Sequence, residues 1–410
     1  MRLCWVKAGG FVPLDFGGRI RSFQMVKELA RRHAVTVLTF YPAIENDAHG
    51  ELAPLFEELI TVPLQLPKQR SKGEYLDYLR LLPASHPYSM QKYYRPELRR
   101  AVAELFARKS FDAIICDFIY PAGILDWSAQ TPIVLFTHNV EAEVWERQYR
   151  VSKNPLRKLT FWLECRRLTR VERYYAERAA RVLAVSDSNR RFFGRYVGGA
   201  ENLILMPTGV DTDYFRPTPE SPEPRTLVFT GSMDWVPNHD AMNYFYREIL
   251  PLIRAQEPDV ETWMVGRNPT LALRRLVEND PKVHVTGRVD DVRPFMNRSS
   301  IYVLPMRTGS GTRLKVLEAM ASGRAIVSTP IGAEGLPVAE GENILLAADP
   351  PNFAQAVVRL IRDTSLRQRL ERNARALAER GLSWRAATDC LEEAVLGTVR
   401  DTAKVKSGTN

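Results

Sequence analysis

Three ionisable side chains crowd the mouth of one helix. In LPMRTGSGTRLKVLEAMASG, residues 304–323, an apolar run reaches a Gly309-Ser310-Gly311-Thr312 turn. Helical spacing then opens with Arg313 and Lys315 and carries Glu318 one turn deeper. At about 100° per residue, Leu314, Val316, Leu317, Met320 and Ala321 form one apolar arc, with Glu318 at its edge and Lys315 beside it. The glycine turn lets an anion approach bare backbone N–H groups, and a helix mouth favours negative charge by about 0.3–1 kcal/mol, rising to ~2 when partly buried. Arg313 and Lys315 would each add a charge-assisted hydrogen bond worth about 1.5–3 kcal/mol. A diphosphate over the turn, with Glu318 accepting from ribose hydroxyls, uses every one of these groups. The plainer alternative, a Lys315–Glu318 surface pair worth at most ~0.5 kcal/mol, leaves the glycine turn without a reason.

The elements that must position these groups alternate in type. MRLCWV, AVTVLTF, DAIICDF, PIVLFTHN and RVLAVS read as strands, separated by amphipathic helices such as RSFQMVKELARR and RPELRRAVAELFARK. A second series, TLVFTGS, VETWMVG, KVHVTG, IYVLPM and AIVSTP, follows in the same manner. Alternation predicts parallel sheets covered on both faces, hence an α/β protein of two doubly wound domains. The expected boundaries are an N-terminal domain over 1–215, a proline-rich linker over 216–225, a C-terminal domain over 226–385, and a helix with a frayed tail over 386–410. Such sheets bind ligands at the carboxyl ends of their strands, so two of them facing across a cleft would offer strand-to-helix loops from both sides. His138 ends one strand of the first series, and Asp117 ends its neighbour as a candidate acceptor-side group.

Bulk properties remove other classes. A chain of 410 residues exceeds one ordinary core, and 45% hydrophobic with 26% charged residues is a globular composition. No apolar run approaches the roughly 18 residues of a membrane span, and the first ten residues hold too short an apolar core for a signal peptide. Four isolated cysteines predict a reduced, cytoplasmic protein without a disulfide or zinc framework. Six scattered histidines argue against a metal site, and GSGTRL is an incomplete glycine fingerprint, so no metal and no cofactor are expected. Asp211 to Asp213 reads as turn chemistry. Residues 150–195 hold 13 Lys+Arg against 4 acids. This stretch is a face for an anionic membrane or polyanionic acceptor, or else a solvated bracing helix with Leu159, Trp162 and Leu163 as its buried stripe. No nucleic-acid-binding pattern accompanies the charge.

DFGGRIR, THNVEAEVWER, RVLAVSDSNRRFF, MPTGVDTDYFRP and GSGTRLKVLEAMASGRAIVSTPIGAEGL together resemble family 4 glycosyltransferases, retaining enzymes of the GT-B fold. GSMDWVPNHDAM is similar to the branch associated with bacterial exopolysaccharide assembly. The resemblance implies transfer of a hexose from a nucleotide-diphosphate sugar to a glycan or lipid-linked acceptor, without metal, in exopolysaccharide or lipopolysaccharide synthesis. It implies that Glu318 holds the ribose, that Gly17 and Gly18 admit the diphosphate, that His138 stands near the transferred sugar, and that Arg288 and Val289 frame the base. Gly231, Ser310, Gly311 and Thr312 complete the implied donor site. Three positions depart from the family pattern: Ser310 stands where the first glutamate of its Glu-x7-Glu motif belongs, and Ser232 and Asn238 stand where an arginine and a lysine are usual. Arg313 and Lys315 are then expected to supply the missing charge, and with His138 and Asp117 they are the candidate catalytic residues. The alternative is a GT-B scaffold that binds nucleotide sugars without turning them over.

Overall fold

The computed structural model describes residues 1–14, 17–43, 47–68, 71–152, 154–308 and 313–407. It divides into two compact units, Met1–Pro207 with Ala387–Asn410, and Thr208–Ala386.

The first unit is built on a parallel sheet of seven strands among the described residues: β1 (Arg2–Ala8), β2 (Ala34–Pro42), β3 (Glu58–Leu64), β4 (Ala113–Asp117), β5 (Ile133–Phe136), β6 (Arg181–Ala184) and β7 (Leu203–Leu205). Their order is β3-β2-β1-β4-β5-β6-β7, so the chain reverses its direction of winding between β1 and β4. β4 and β5 are buried at every residue, which is why they read as continuous apolar runs rather than alternating ones. The second unit repeats the plan with β8 (Glu223–Thr230), β9 (Glu261–Val265), β10 (Val283–Val285), β11 (Ser299–Leu304), β12 (Ala325–Ser328) and β13 (Leu345–Leu346). Its order is β10-β9-β8-β11-β12-β13, with the reversal between β8 and β11. These are the two Rossmann-like sheets of a GT-B protein.

Three features differ from the sequence reading. The edge strands β3, β7 and β13 are absent from the sequence reading: β7 and β13 span only three and two residues, and β3 interleaves its apolar residues with Glu58, Thr61 and Pro63. The proline-rich 216–225 stretch belongs to the second unit, and its last residues, from Glu223, already run as β8. The segment ahead of it is tied down by Arg375, which donates to the carbonyls of Thr212 and Phe215. The expected buried stripe of the basic segment is also displaced. Leu159 and Trp162 are exposed, and the helix Pro155–Ala176 buries Glu164, Leu168, Val171, Glu172 and Tyr175 instead. Glu172 faces inward for a reason: its oxygens accept the backbone N–H groups of Glu141 at 2.7 Å and Ala142 at 3.1 Å. Those donors open the helix Glu141–Val151, whose preceding residue, Val140, has no side chain able to cap it.

Candidate active site

At the carboxyl end of the first sheet, β1 and β4 place Lys7 and Asp117 in register. Lys7 Nζ lies 3.4 Å from Asp117 Oδ2, and the indole N–H of Trp5 donates to the same oxygen at 2.9 Å. His138, two residues beyond β5, brings Nε2 within 2.8 Å of Asp117 Oδ1. Ser22 Oγ stands 3.3 Å from that nitrogen while donating to the Gly18 carbonyl, which links His138 to the first turn of the helix Gly17–Ala30. Arg21 is buried on the same turn, donating to the Thr137 carbonyl at 2.6 Å with its guanidinium 4.4 Å from the Phe136 ring centroid. Burial pushes Asp117 up, but Lys7 and His138 together hold it well below the usual carboxylate range. Burial pulls His138 down to about 4, against the raising effect of Asp117. With its proton on Nε2, as the carboxylate partner requires, the neutral imidazole turns Nδ1 toward Gly18 as an acceptor, with Arg21 Nη1 3.5 Å from it. The loop ahead of Gly17 is held by His49, whose Nε2 accepts the Phe11 N–H at 3.0 Å beneath a stacked Tyr41 ring.

In the second unit, Asn238 after β8 and Lys315 after β11 meet at the reversal of strand order, where such sheets bind ligands. Gly231 follows β8 at φ +154°, and a Cβ there would come within 2.6 Å of Asn238 Nδ2 and 2.7 Å of Lys315 Nζ. Lys315 Nζ donates to Asn238 Oδ1 at 2.7 Å and stands 4.4 Å from the Phe229 ring centroid. Asn238 in turn donates to the Ser232 carbonyl at 2.8 Å. Arg267, from the loop after β9, donates Nε–H to Ser232 Oγ at 3.0 Å. Burial pulls Lys315 down to about 7, with Glu318 raising it and Arg313 lowering it further. Burial pushes Glu318 up to about 7, partly offset by Lys315. Both therefore change charge near neutrality.

The remaining candidates separate. Arg313 occupies the N-cap of the helix Leu314–Ala321, but its Nη2 donates to the Ile331 carbonyl at 3.0 Å and Glu334 attracts it. Arg288 is exposed beyond β10, and Val289 packs on the core of the second unit. Ser310, Gly311 and Thr312, with Gly309, lie outside the described residues. The sequence reading missed Lys7, Arg21, Ser22 and Arg267. Lys7 alone left a trace, as a cation inside an otherwise apolar strand.

Two family models divide the chain: Glycosyltransferase Family 4 matches residues 17–214, and Glycosyl transferases group 1 matches residues 224–363. The chain is a family 4 glycosyltransferase of the GT-B fold. Among curated relatives, this family 4 chain is 30% identical to a phosphatidyl-myo-inositol mannosyltransferase of Mycolicibacterium smegmatis over 48% of its own length and 52% of the relative's. It thus spans about half the length of that relative. It is 20% identical to an uncharacterised 44.6 kDa protein in the cps region of Klebsiella pneumoniae, over 86% of this chain and 89% of that one. Among solved structures, Anabaena HepE in complex with UDP and glucose superposes with a TM-score of 0.66 at 15% identity, over 96% of this chain and 99% of that one.

Proposed function

We propose that this protein transfers a hexose from a nucleotide-diphosphate sugar to a glycan or lipid-linked glycan acceptor, with retention of anomeric configuration and without metal, in the assembly of an exopolysaccharide or lipopolysaccharide. The observation that carries the reading is the Lys315 ammonium, held against Asn238 and Gly231 at the reversal point of the second sheet, one helical turn from Glu318. That arrangement supplies a cation for a leaving diphosphate and an acceptor for ribose hydroxyls. The UDP and glucose bound by HepE, the mannosyltransferase relatives and the cps-region relative support donor class and context.

In the proposed reaction the anomeric carbon loses its bond to the diphosphate and gains one to the acceptor oxygen on the same face, while a departing phosphate oxygen takes the acceptor proton. Lys315 neutralises the charge that builds on the diphosphate. Arg313 would reach the same anion by releasing Ile331, so the heavier share falls on Lys315. Glu318 holds the ribose, and Arg288 and Val289 frame the base. His138, neutral on Asp117, serves as a hydrogen-bond partner of the transferred sugar rather than as a base. The test is a panel of UDP-, GDP-, ADP- and TDP-sugars, read by donor hydrolysis and transfer. Turnover of one donor is expected; nucleotide binding without any turnover would leave only a binding scaffold.

A further inference from the structure

Arg21 holds a charge where a neutral side chain would cost less. It is 2% exposed on the helix Gly17–Ala30, and among the described residues its Nε and Nη2 have no hydrogen-bond partner. Its bond to the Thr137 carbonyl and its contact with the Phe136 ring tie the helix to the end of β5. A glutamine could reach the same carbonyl without taking a charge out of water. The guanidinium calls for a second reason.

That reason lies one residue further along. Arg21 Nη1 stands 3.5 Å from His138 Nδ1, while the other ring nitrogen, Nε2, stands 2.8 Å from Asp117 Oδ1. A guanidinium can only donate hydrogen bonds, and a carboxylate can only accept them. The imidazole between them has one consistent assignment, with the proton on Nε2 and the lone pair on Nδ1. Ser22 agrees: its hydroxyl hydrogen goes to the Gly18 carbonyl, so its oxygen, 3.3 Å away, faces the Nε2–H as an acceptor. A second proton would have to enter at Nδ1, N–H against N–H.

The charges around the ring act in the same sense. Lys7 and Arg21 are buried cations that disfavour a charged His138, and Asp117 is the acid that offsets them. Protonating the ring would add a third cation to a cluster with that one carboxylate. The Phe118 and Phe136 rings meet the imidazole edge-on, at 5.4 and 5.2 Å between centroids, and bring no charge.

We propose that Arg21 is a positioning residue that fixes His138 in the Nε2–H tautomer and bars its second proton, so that Nδ1 remains an acceptor. The use made of that acceptor, a hydroxyl of the transferred sugar, rests on the function proposed above. The protonation state can be read without any donor, from proton–nitrogen correlation spectra of the full chain labelled at its six histidines, with His138→Gln assigning the signal. In the wild type Nε2 should carry the proton, and His138 should stay neutral down to about pH 5. Arg21→Gln, which keeps a donor for Thr137, and Arg21→Met should each let His138 take its second proton about tenfold more readily, the effect of removing one nearby like charge. Arg21→Lys restores the charge and should reverse most of that change, whereas a purely structural role would not separate Gln from Lys in this readout. Transfer activity should follow, its acid limb moving to higher pH in the two neutral variants. A proton on Nδ1 in the wild type, a readout that needs no substitution, or an unchanged titration in both neutral variants would overturn the proposal. A shifted titration without a shifted acid limb would instead remove the sugar contact and leave the positioning intact.

Discussion

The ammonium of Lys315 donates a 2.7 Å hydrogen bond to the side-chain oxygen of Asn238, the position where the commoner family pattern carries its own lysine. Arg267 stands in the same relation to Ser232, where that pattern carries an arginine. Each of these two charges thus comes from a neighbouring element, Lys315 from the helix Leu314–Ala321 and Arg267 from the loop after β9.

If the ammonium matters more than the residue number that bears it, it can be moved back. Lys315→Ala should lower kcat by roughly two orders of magnitude, the scale of removing one stabilising donor, with a smaller effect on donor affinity. Adding Asn238→Lys should recover part of the loss, because the two side chains already touch. Arg313→Ala should cost less than Lys315→Ala. Single-turnover transfer measured beside donor affinity checks all three, and near wild-type turnover in Lys315→Ala would remove the proposed role.

Binding of the nucleotide diphosphate should weaken as pH rises through about 7, where Lys315 loses its proton. Glu318 is what raises Lys315 against burial, so Glu318→Gln should move that loss to lower pH as well as weaken affinity, the latter by about 1–3 kcal/mol. Calorimetry with UDP and GDP across the neutral range reads both effects. An unchanged affinity in Glu318→Gln would remove the ribose assignment.

Asp117→Asn would strand a buried ammonium, since Lys7 has Asp117 as its counter-charge. Breaking such a pair costs about 3–5 kcal/mol, most of it the penalty of the charge left behind. Urea denaturation should therefore rank Asp117→Asn below the double variant Lys7→Met/Asp117→Asn, which removes the stranded ammonium and keeps an amide oxygen for Trp5 and His138. The double variant, although stable, should have lost the polarisation of His138, and with it transfer activity.

Glu172 gives a pH signature to stability. Burial pushes its carboxyl up to about 8, well above the value of an unfolded chain. Between about 4.5 and about 8 the folded state holds a proton that the unfolded state releases, so this residue makes stability fall as pH rises across that window. In Glu172→Gln that contribution should vanish, and the urea midpoint should decline less from about pH 5 to about pH 8 than in the wild type.

The central strands were legible because each is dominated by apolar residues, whereas β7 and β13 were not, because three and two residues are too few to show a pattern. Lys315, His138 and Asp117 could be singled out in the sequence because each stands at or just beyond an element end among glycine or apolar neighbours, and Glu318 because it shares a helix flank with Lys315. Arg267 and Ser22 were hidden: their partners lie 35 and 116 residues away, and nothing local marks a side chain whose meaning is set by a distant neighbour. The inward turn of Glu164 and Glu172 was hidden for a related reason, as a wheel that buries only apolar residues rotates the helix the wrong way.

The segment leading into the second unit and the one leading out of it are clasped together: Val210 N–H donates to Leu382 O at 2.7 Å, and Trp384 N–H to Val210 O at 3.2 Å. Beyond that clasp the last helix returns to the first unit, where Asp389 and Glu392 take Arg32 and Glu392 takes His33. During synthesis the second unit is therefore a closed parenthesis. Its residues all precede the helix that covers Arg32 and His33, so the part of the chain made first is the part completed last.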